Sequence, residues 1–417
     1  MSSTWQRGLW MIAVIALLAG IAYVALRSPS VDQGAMAPVA PPAAGTIVAP
    51  GNAFSQPAAT GAEITGDWAM EGLNPARTRA VETPIALPLT RQRVMASASF
   101  EEGVSPPVIA RGLMLVETKD ALTAIDLRTG RQRWAYPQSG TYISPAVVGD
   151  NVYFRAESGN KGQLVALELS SGRQRWSFTP KRLSNAGSGY FGGHLTSPII
   201  ADNVVYVGAG KELYALDAIS GKVRWEFDTQ DYVTSSASFA GGQVFISDFK
   251  YFYAIDPQTG TMRWSYPANS AMYFASVATG DIVLISSGQN LIALDARDGT
   301  MRWEKSVPGE ALIPAGAQGN RVFVKTTNTL FALDPGDGRE LWSFQNLNYV
   351  SLPALTSGYA FVVSGMGADA RVAALDVATG ESAWMQAVQK LATTAPVIAG
   401  RAVYVRTTDG RVVELLS

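Results

Sequence analysis

Cysteine is absent from the 417 residues, and histidine occurs once, as His194. The first absence excludes disulfides, Cys-ligated zinc or iron–sulfur sites, c-type haem attachment, thiol nucleophiles and lipidated cysteines. The second excludes any site built from several imidazoles. Charge of one sign is missing too: 33 Lys and Arg stand against 34 Asp and Glu, without the basic excess that neutralises phosphate, so no nucleic-acid partner is expected. What is present is apolar residue at 47%, together with Gly 40 and Trp 10. That suffices for a large core, and the length would ordinarily be divided between two or three domains. Glycine marks turns and tryptophan marks packing anchors, so the pairing points to many short strands joined by tight turns.

From Leu9 to Leu26 the chain carries no charge. At ~1.5 Å per helical residue such a run nearly spans a hydrocarbon core. It is longer than the apolar region of a cleaved signal peptide, and no convincing cleavage site precedes Arg27, which favours an uncleaved transmembrane anchor over residues 1–27. Residues 28–65 hold Pro29, Pro38, Pro41, Pro42, Pro50 and Pro57 among Ala, Gly and Ser. This composition has too little to bury to offset ordering entropy and reads as a disordered linker. Residues 66–417 form the third division.

That division repeats itself. AIDLRTGRQRW (Ala124 to Trp134) is followed by ALELSSGRQRW, ALDAISGKVRW, AIDPQTGTMRW, ALDARDGTMRW, ALDPGDGRELW and ALDVATGESAW. The tryptophans are Trp134, Trp176, Trp225, Trp264, Trp303, Trp342 and Trp384, spaced 42, 49, 39, 39, 39 and 42 residues apart. Each unit holds four short strand patterns, the size of one propeller blade. The small Ala admits the neighbouring blade, the Asp accepts hydrogen bonds from turn amides, and Gly130 and its equivalents take positive φ. The Trp offers a flat face and a ring N–H to the next blade. Recurrence in every unit makes these residues structural.

The C-terminal unit stops at its third strand, with Asp409 to Leu415 aligning on Gly162 to Glu168. A fourth strand is available at Ile85 to Val94. The expected fold is therefore all-β: an eight-bladed propeller of four-stranded antiparallel blades, its last blade closed by both ends of the chain.

The repeated Ala-x-Asp-x-x-x-Gly-x-x-x-Trp resembles the tryptophan-docking motif of the quinoprotein-type, PQQ-like β-propellers, over residues 68 to 416. Asp67-Trp68 and Asn74-Pro75-Ala76-Arg77-Thr78 resemble their opening element. Resemblance to the quinone-dependent dehydrogenase branch would imply PQQ, calcium or a lanthanide, an Asp base and often vicinal cysteines. No Cys pair exists, and the widest loop, Lys181 to Thr196, contains no Asp or Glu. The chain is more similar to the BamB-type scaffolds of outer-membrane protein assembly, which implies no enzyme activity, no cofactor and no metal. The resemblance further implies an extracytoplasmic propeller, here anchored in the inner membrane, whose partners are envelope proteins such as the β-barrel assembly machinery. A PQQ-dependent dehydrogenase and a ligand-sensing or adhesive propeller are the alternatives.

In a scaffold, function falls to loops at one end of the ring or to the channel. Tyr142, Tyr232, Tyr273 with Phe274, and Tyr349 precede predicted innermost strands, and Tyr190 and Phe191 lie in the most irregular loop. Together they suggest an aromatic mouth for extended peptides, with packing on neighbouring blades as the other reading. His194 is flanked by glycine and has no hydrolase elbow to serve, so no catalytic role is expected for it. Lys181 and Arg182 read as solvated loop charges.

Overall fold

A computed structural model describes residues 68–97, 105–117, 121–137, 144–158, 161–181, 196–268 and 270–417. The expected anchor and linker, together with Tyr142, Arg182, Tyr190, Phe191 and His194, lie outside the described residues. Among the described residues no helix is long and apolar enough to cross a membrane.

Thirty-two strands form eight four-stranded antiparallel sheets among the described residues. Seven are consecutive: the first blade holds strands Val108–Ala110, Leu113–Glu117, Ala121–Asp126 and Gln132–Pro137, and the pattern recurs through Ser382–Ala387. Through these seven sheets the first strand of each neighbours the first strand of the next, which places these strands around the axis. Second and third strands are apolar on both faces and buried between neighbours, while fourth strands expose alternate residues at the rim.

The repeat motif explains the joints. Ala215 pairs across the sheet with Trp225, and a bulge follows at Leu216, so the strand twists as it enters the turn. Asp217 Oδ1 accepts hydrogen bonds from the Ser220 backbone N–H and hydroxyl, both 2.8 Å, which forms the turn, and Gly221 follows at φ 69°. A β-carbon on Gly221 would lie 2.5 Å from the ring of Trp176, one blade earlier. Glycine is thus required twice, for its backbone and for the indole lying on it. Ring N–H groups then donate forward to the residue after the turn's acid: Trp134 to the Leu169 carbonyl at 2.7 Å, Trp225 to Pro257 at 2.8 Å, Trp342 to Val377 at 2.9 Å.

Blade 8 departs from this. Its strands Val397–Ala399, Ala402–Arg406 and Arg411–Leu416 are completed by Arg91–Ser97 from the other end of the chain. The closing strand is therefore the expected one displaced, since Ile85 to Thr90 is not strand. Pro84 and Pro88 have no N–H to donate to a ladder. Ile85 and Leu89 instead enter the core shared by Ile109, Val403 and Leu415. The alignment also shifts by one. Tyr404 faces Glu414, as Tyr206 faces Ala215, and Arg93 faces Glu414, as Trp225 faces Ala215. Glu414 thus stands in the place of Ala, and Arg93 in the place of Trp.

Residues 68–81 form a belt along the inner wall. Ile109 N–H donates to the Trp68 carbonyl, Val147 to Ala69, Phe239 to Pro75, Ala278 to Ala76, Ala317 to Thr78 and Leu355 to Arg79, at 2.7–3.1 Å. One segment thereby satisfies an amide in each of six innermost strands, whose inner edges would otherwise be unpaired. Trp68 and Met70 are fully buried in it, and Leu73, Arg77 and Arg79 take positive φ to follow the curve.

Candidate functional site

The loops that lead into the first strands and those that join second to third strands lie at the same end of the ring. Of the expected mouth residues, Tyr232, Tyr273, Phe274 and Tyr349 are described, all half-buried and set at the 3/4, 4/5 and 6/7 junctions. The Lys211 ammonium lies 5.1 Å from the Tyr232 ring centroid. Tyr273 meets Phe249 edge to face at 5.9 Å. Tyr349 donates its hydroxyl to the Thr393 carbonyl at 2.9 Å, and the Lys325 ammonium sits 5.2 Å from its ring. These rings therefore bridge loops of neighbouring blades. Lys181 is exposed and ion-paired with Glu226 at 2.8 Å.

Below the mouth lies a collar that the sequence reading did not anticipate. In seven blades one second-strand residue pairs with the first residue of the first strand, and in blade 6 its equivalent, Phe323, pairs with Gly316 beside a bulge; the position of interest lies two residues further along the second strand. That position holds Glu117, Arg155, Ser247, Ser286, Lys325 and Arg406 in six blades, with Gly208 and Val363 in the others. All six polar side chains are buried. Ser105 Oγ donates to Glu117 Oε2 at 2.9 Å, and Arg406 Nη1 donates to the Ser105 carbonyl at 2.6 Å. Burial outweighs attraction on both sides of this contact: it pushes the Glu117 carboxyl up to about 8, and the Arg406 guanidinium down to about 10. Burial likewise lowers the Lys325 ammonium to about 8.

The belt supplies the floor. Arg77 Nε donates to the Ala237 carbonyl at 2.9 Å, and its Nη1 stands 3.4 Å from Glu71 Oε2. Arg79 Nε donates to the Pro353 carbonyl at 2.6 Å, with its guanidinium 5.2 Å from the Trp68 ring. Burial opposes ionisation of Glu71, but Arg77, a hydrogen bond from Ser197, and Arg79 hold its carboxyl below the usual range. The Glu71 side chain remains 39% accessible. Solvent therefore reaches the floor.

Eight four-stranded blades, tryptophan-docked and closed by both ends of the chain, define a PQQ-like propeller. The family model described as outer membrane protein assembly factor BamB matches residues 91–266, 160–311, 253–352 and 349–416, and the chain belongs to this family. The solved structure of BamB from Moraxella catarrhalis is similar, at 17% identity and TM-score 0.59, covering 80% of this chain and all of that one. So is the quinohemoprotein alcohol dehydrogenase from Comamonas testosteroni, at 16% identity and TM-score 0.65, covering 85% of this chain and 81% of that one. Among curated proteins, the serine/threonine-protein kinase AfsK of Streptomyces griseus is 30% identical over 160 residues, 37% of this chain. The chain spans 14% of that kinase's length.

The dehydrogenase likeness raises the question of whether a quinone held by a hard cation would fit this funnel. Such a cation requires several converging carboxylate or carbonyl oxygens. The floor presents one carboxylate, Glu71, between Arg77 and Arg79, and the collar's Glu117 is driven towards its neutral form. Among the described residues no three His, Cys, Asp or Glu side chains gather to hold a metal ion. These donors do not fit the group.

Proposed function

We propose that this propeller is a protein-binding scaffold of the cell envelope, taking part in outer-membrane protein assembly and performing no catalysis itself. The observation that carries this reading is the family match, which runs through every blade from residue 91 to 416. The funnel's donor set supports it from the other side, since guanidinium groups occupy the floor where a cation-held cofactor would need oxygens. In this reading residues 9–26 anchor the chain in the inner membrane, residues 28–65 carry the propeller clear of it, and the mouth aromatics contact extended polypeptide.

Cross-linking the full chain in intact cells, solubilising membranes and identifying captured proteins tests the proposal. A barrel-assembly protein among the partners is the expected result. Dye reduction that depends on added PQQ and calcium, with quinone absorbance retained through gel filtration, would overturn it. The similarity to a protein kinase favours a second reading, a receptor module. Capture of a single signalling protein in the same experiment would decide for that reading.

A further inference from the structure

We infer that the outer edge of blade 3 pairs antiparallel with the same edge of a second copy of this chain. Its fourth strand, Val223–Asp228, ends its sheet, and among the described residues no further strand pairs with it. An open edge is a template for another strand, and folds that leave one open ordinarily guard it. The fourth strands of blades 1 and 4 end in Pro137 and Pro267, and that of blade 5 carries Lys305 after its tryptophan. Blade 3 has neither device within its strand. It instead exposes Val223, at 41%, close in sequence to the turn residue Ile219, at 76%.

The order of residues selects the occupant. From Lys222 to Asp228 the chain reads Lys-Val-Arg-Trp-Glu-Phe-Asp: two cations precede the tryptophan, two acids follow it, and an apolar residue lies between the members of each pair. Reversed, the segment is its own complement in charge. A twofold axis at Trp225 therefore sets Lys222 opposite Asp228, Val223 opposite Phe227 and Arg224 opposite Glu226 of the second copy, each contact occurring twice. Parallel pairing in the same register would oppose like charges at all four charged positions. Trp225 itself remains on Gly260 of blade 4, so the centre of the contact is backbone.

The other fourth strands that follow a repeat turn lack this pattern. Those of blades 1, 2 and 4 have arginine but no acid after the tryptophan, that of blade 5 follows Glu304 with Lys305, and those of blades 6 and 7 hold no basic residue. Within one copy Arg224 meets Asp217 at 2.8 Å and Glu226 meets Lys181 at 2.8 Å, with every member of these pairs at least 30% exposed. Pairs so exposed contribute little and exchange partners readily. Arg224 is also the residue that the bulge leaves out of the inner ladder.

Cysteine cross-linking reads the register, because the chain supplies no cysteine of its own. The full chain in detergent is prepared as Lys222→Cys and as Asp228→Cys, and the two are mixed under mild oxidant. The expected result is a disulfide-linked dimer in the mixture and none in either variant alone, since facing β-carbons lie about 5 Å apart whereas position 222 and its own copy stand about 20 Å apart. Sedimentation of the chain without cysteine measures the strength: seven residues a side make a small interface, with dissociation expected at about 10–100 μM. Glu226→Arg should weaken dimerisation at least about tenfold by setting like charges face to face, and adding Arg224→Glu should restore it, which separates lost pairing from lost folding. The proposal is overturned if the chain stays monomeric at about 0.5 mM, if Lys222→Cys links to itself as readily as to Asp228→Cys, if Glu226→Arg leaves a dimer unchanged, or if Arg224→Glu fails to restore it. Cross-linking of Asp228→Cys in cells to a different protein alone would assign the edge to a foreign strand and equally overturn it.

Discussion

The joint between blades 2 and 3 and the joint between blades 8 and 1 solve one problem by different physics. In the first, the Trp176 indole lies on Gly221 and donates to the Ala218 carbonyl at 3.1 Å. In the second, Arg93 pairs with Glu414 at 2.8 Å, Tyr404 donates its hydroxyl to the same carboxylate at 2.7 Å, and Arg93 Nη2 reaches the Leu127 carbonyl at 3.4 Å. Leu127 follows Asp126 as Ala218 follows Asp217, so Arg93 makes a longer version of the tryptophan's forward bond. At the inner radius the same joint carries Arg406, Ser105 and Glu117. An indole on a glycine is generic and fits every joint alike. The closing joint must bring two distant strands into one register, and directional charged contacts discriminate between registers better than apolar area does.

The largest effect expected is at a regular joint. Trp264→Ala removes a buried indole lying on Gly299 together with its 3.2 Å bond to the Ala296 carbonyl, and should cost about 3–5 kcal/mol in urea denaturation. Trp384→Ala should cost about half as much. Trp384 is only half-buried and faces blade 8, which has no Asp-x-x-x-Gly turn because its third and fourth strands come from opposite ends of the chain. Equal losses at the two sites would remove the distinction between joint types.

A middle-sized effect is expected at the seam. Arg93→Ala should cost about 1–3 kcal/mol, less for the half-exposed arginine itself than for leaving Glu414, 4% exposed, without its cation. Arg93→Trp combined with Glu414→Ala would rebuild a regular joint, since Gly130 waits in blade 1 at φ 69° with, among the described residues, only the Met95 carbonyl, 3.3 Å away, near its missing β-carbon. The double variant should lie within ~1 kcal/mol of the native chain while each single variant lies well below it, giving a large coupling energy. Additive single losses would show that seam and joint are not interchangeable.

The same contrast explains what could be read from sequence. Seven copies of one motif announced the blades, because a generic joint repeats its residues. The turn glycines and forward-donating indoles followed from chemistry that each copy displays. Arg93 and Glu414 were illegible because they occur once, and the expected alignment placed Val413 where Glu414 stands. The belt was equally hidden, since residues 68–81 carry neither strand periodicity nor a repeat and take their shape from amides on six other blades. The collar had a signal that was passed over: in LMLVE, VYFR, VFVK and VYVR a charge ends an otherwise apolar run, where a solvent-facing reading is available until the blades are placed around an axis.

Glu117→Gln gives the smallest expected effect and isolates the inner end of the seam. The folded chain holds this carboxyl at about 8 against an ordinary value of 4.5, chiefly through burial, so the fold favours the proton-bound form. The unfolded chain therefore binds fewer protons in that window. The stability linked to Glu117 is fully present below the ordinary carboxylate value and is lost as pH rises through about 8. Glutamine keeps a neutral polar group that can still accept from the Ser105 hydroxyl but cannot ionise. Native and variant chains should be nearly equal in stability at about pH 5, and the variant more stable by ~1–2 kcal/mol at about pH 8. Stability curves that run parallel across that range would mean that Arg406 and Arg155 already hold Glu117 ionised, and that the inner seam is an ordinary ion pair; a divergence in the expected direction would make closure of this ring weaken with pH where the tryptophan joints do not.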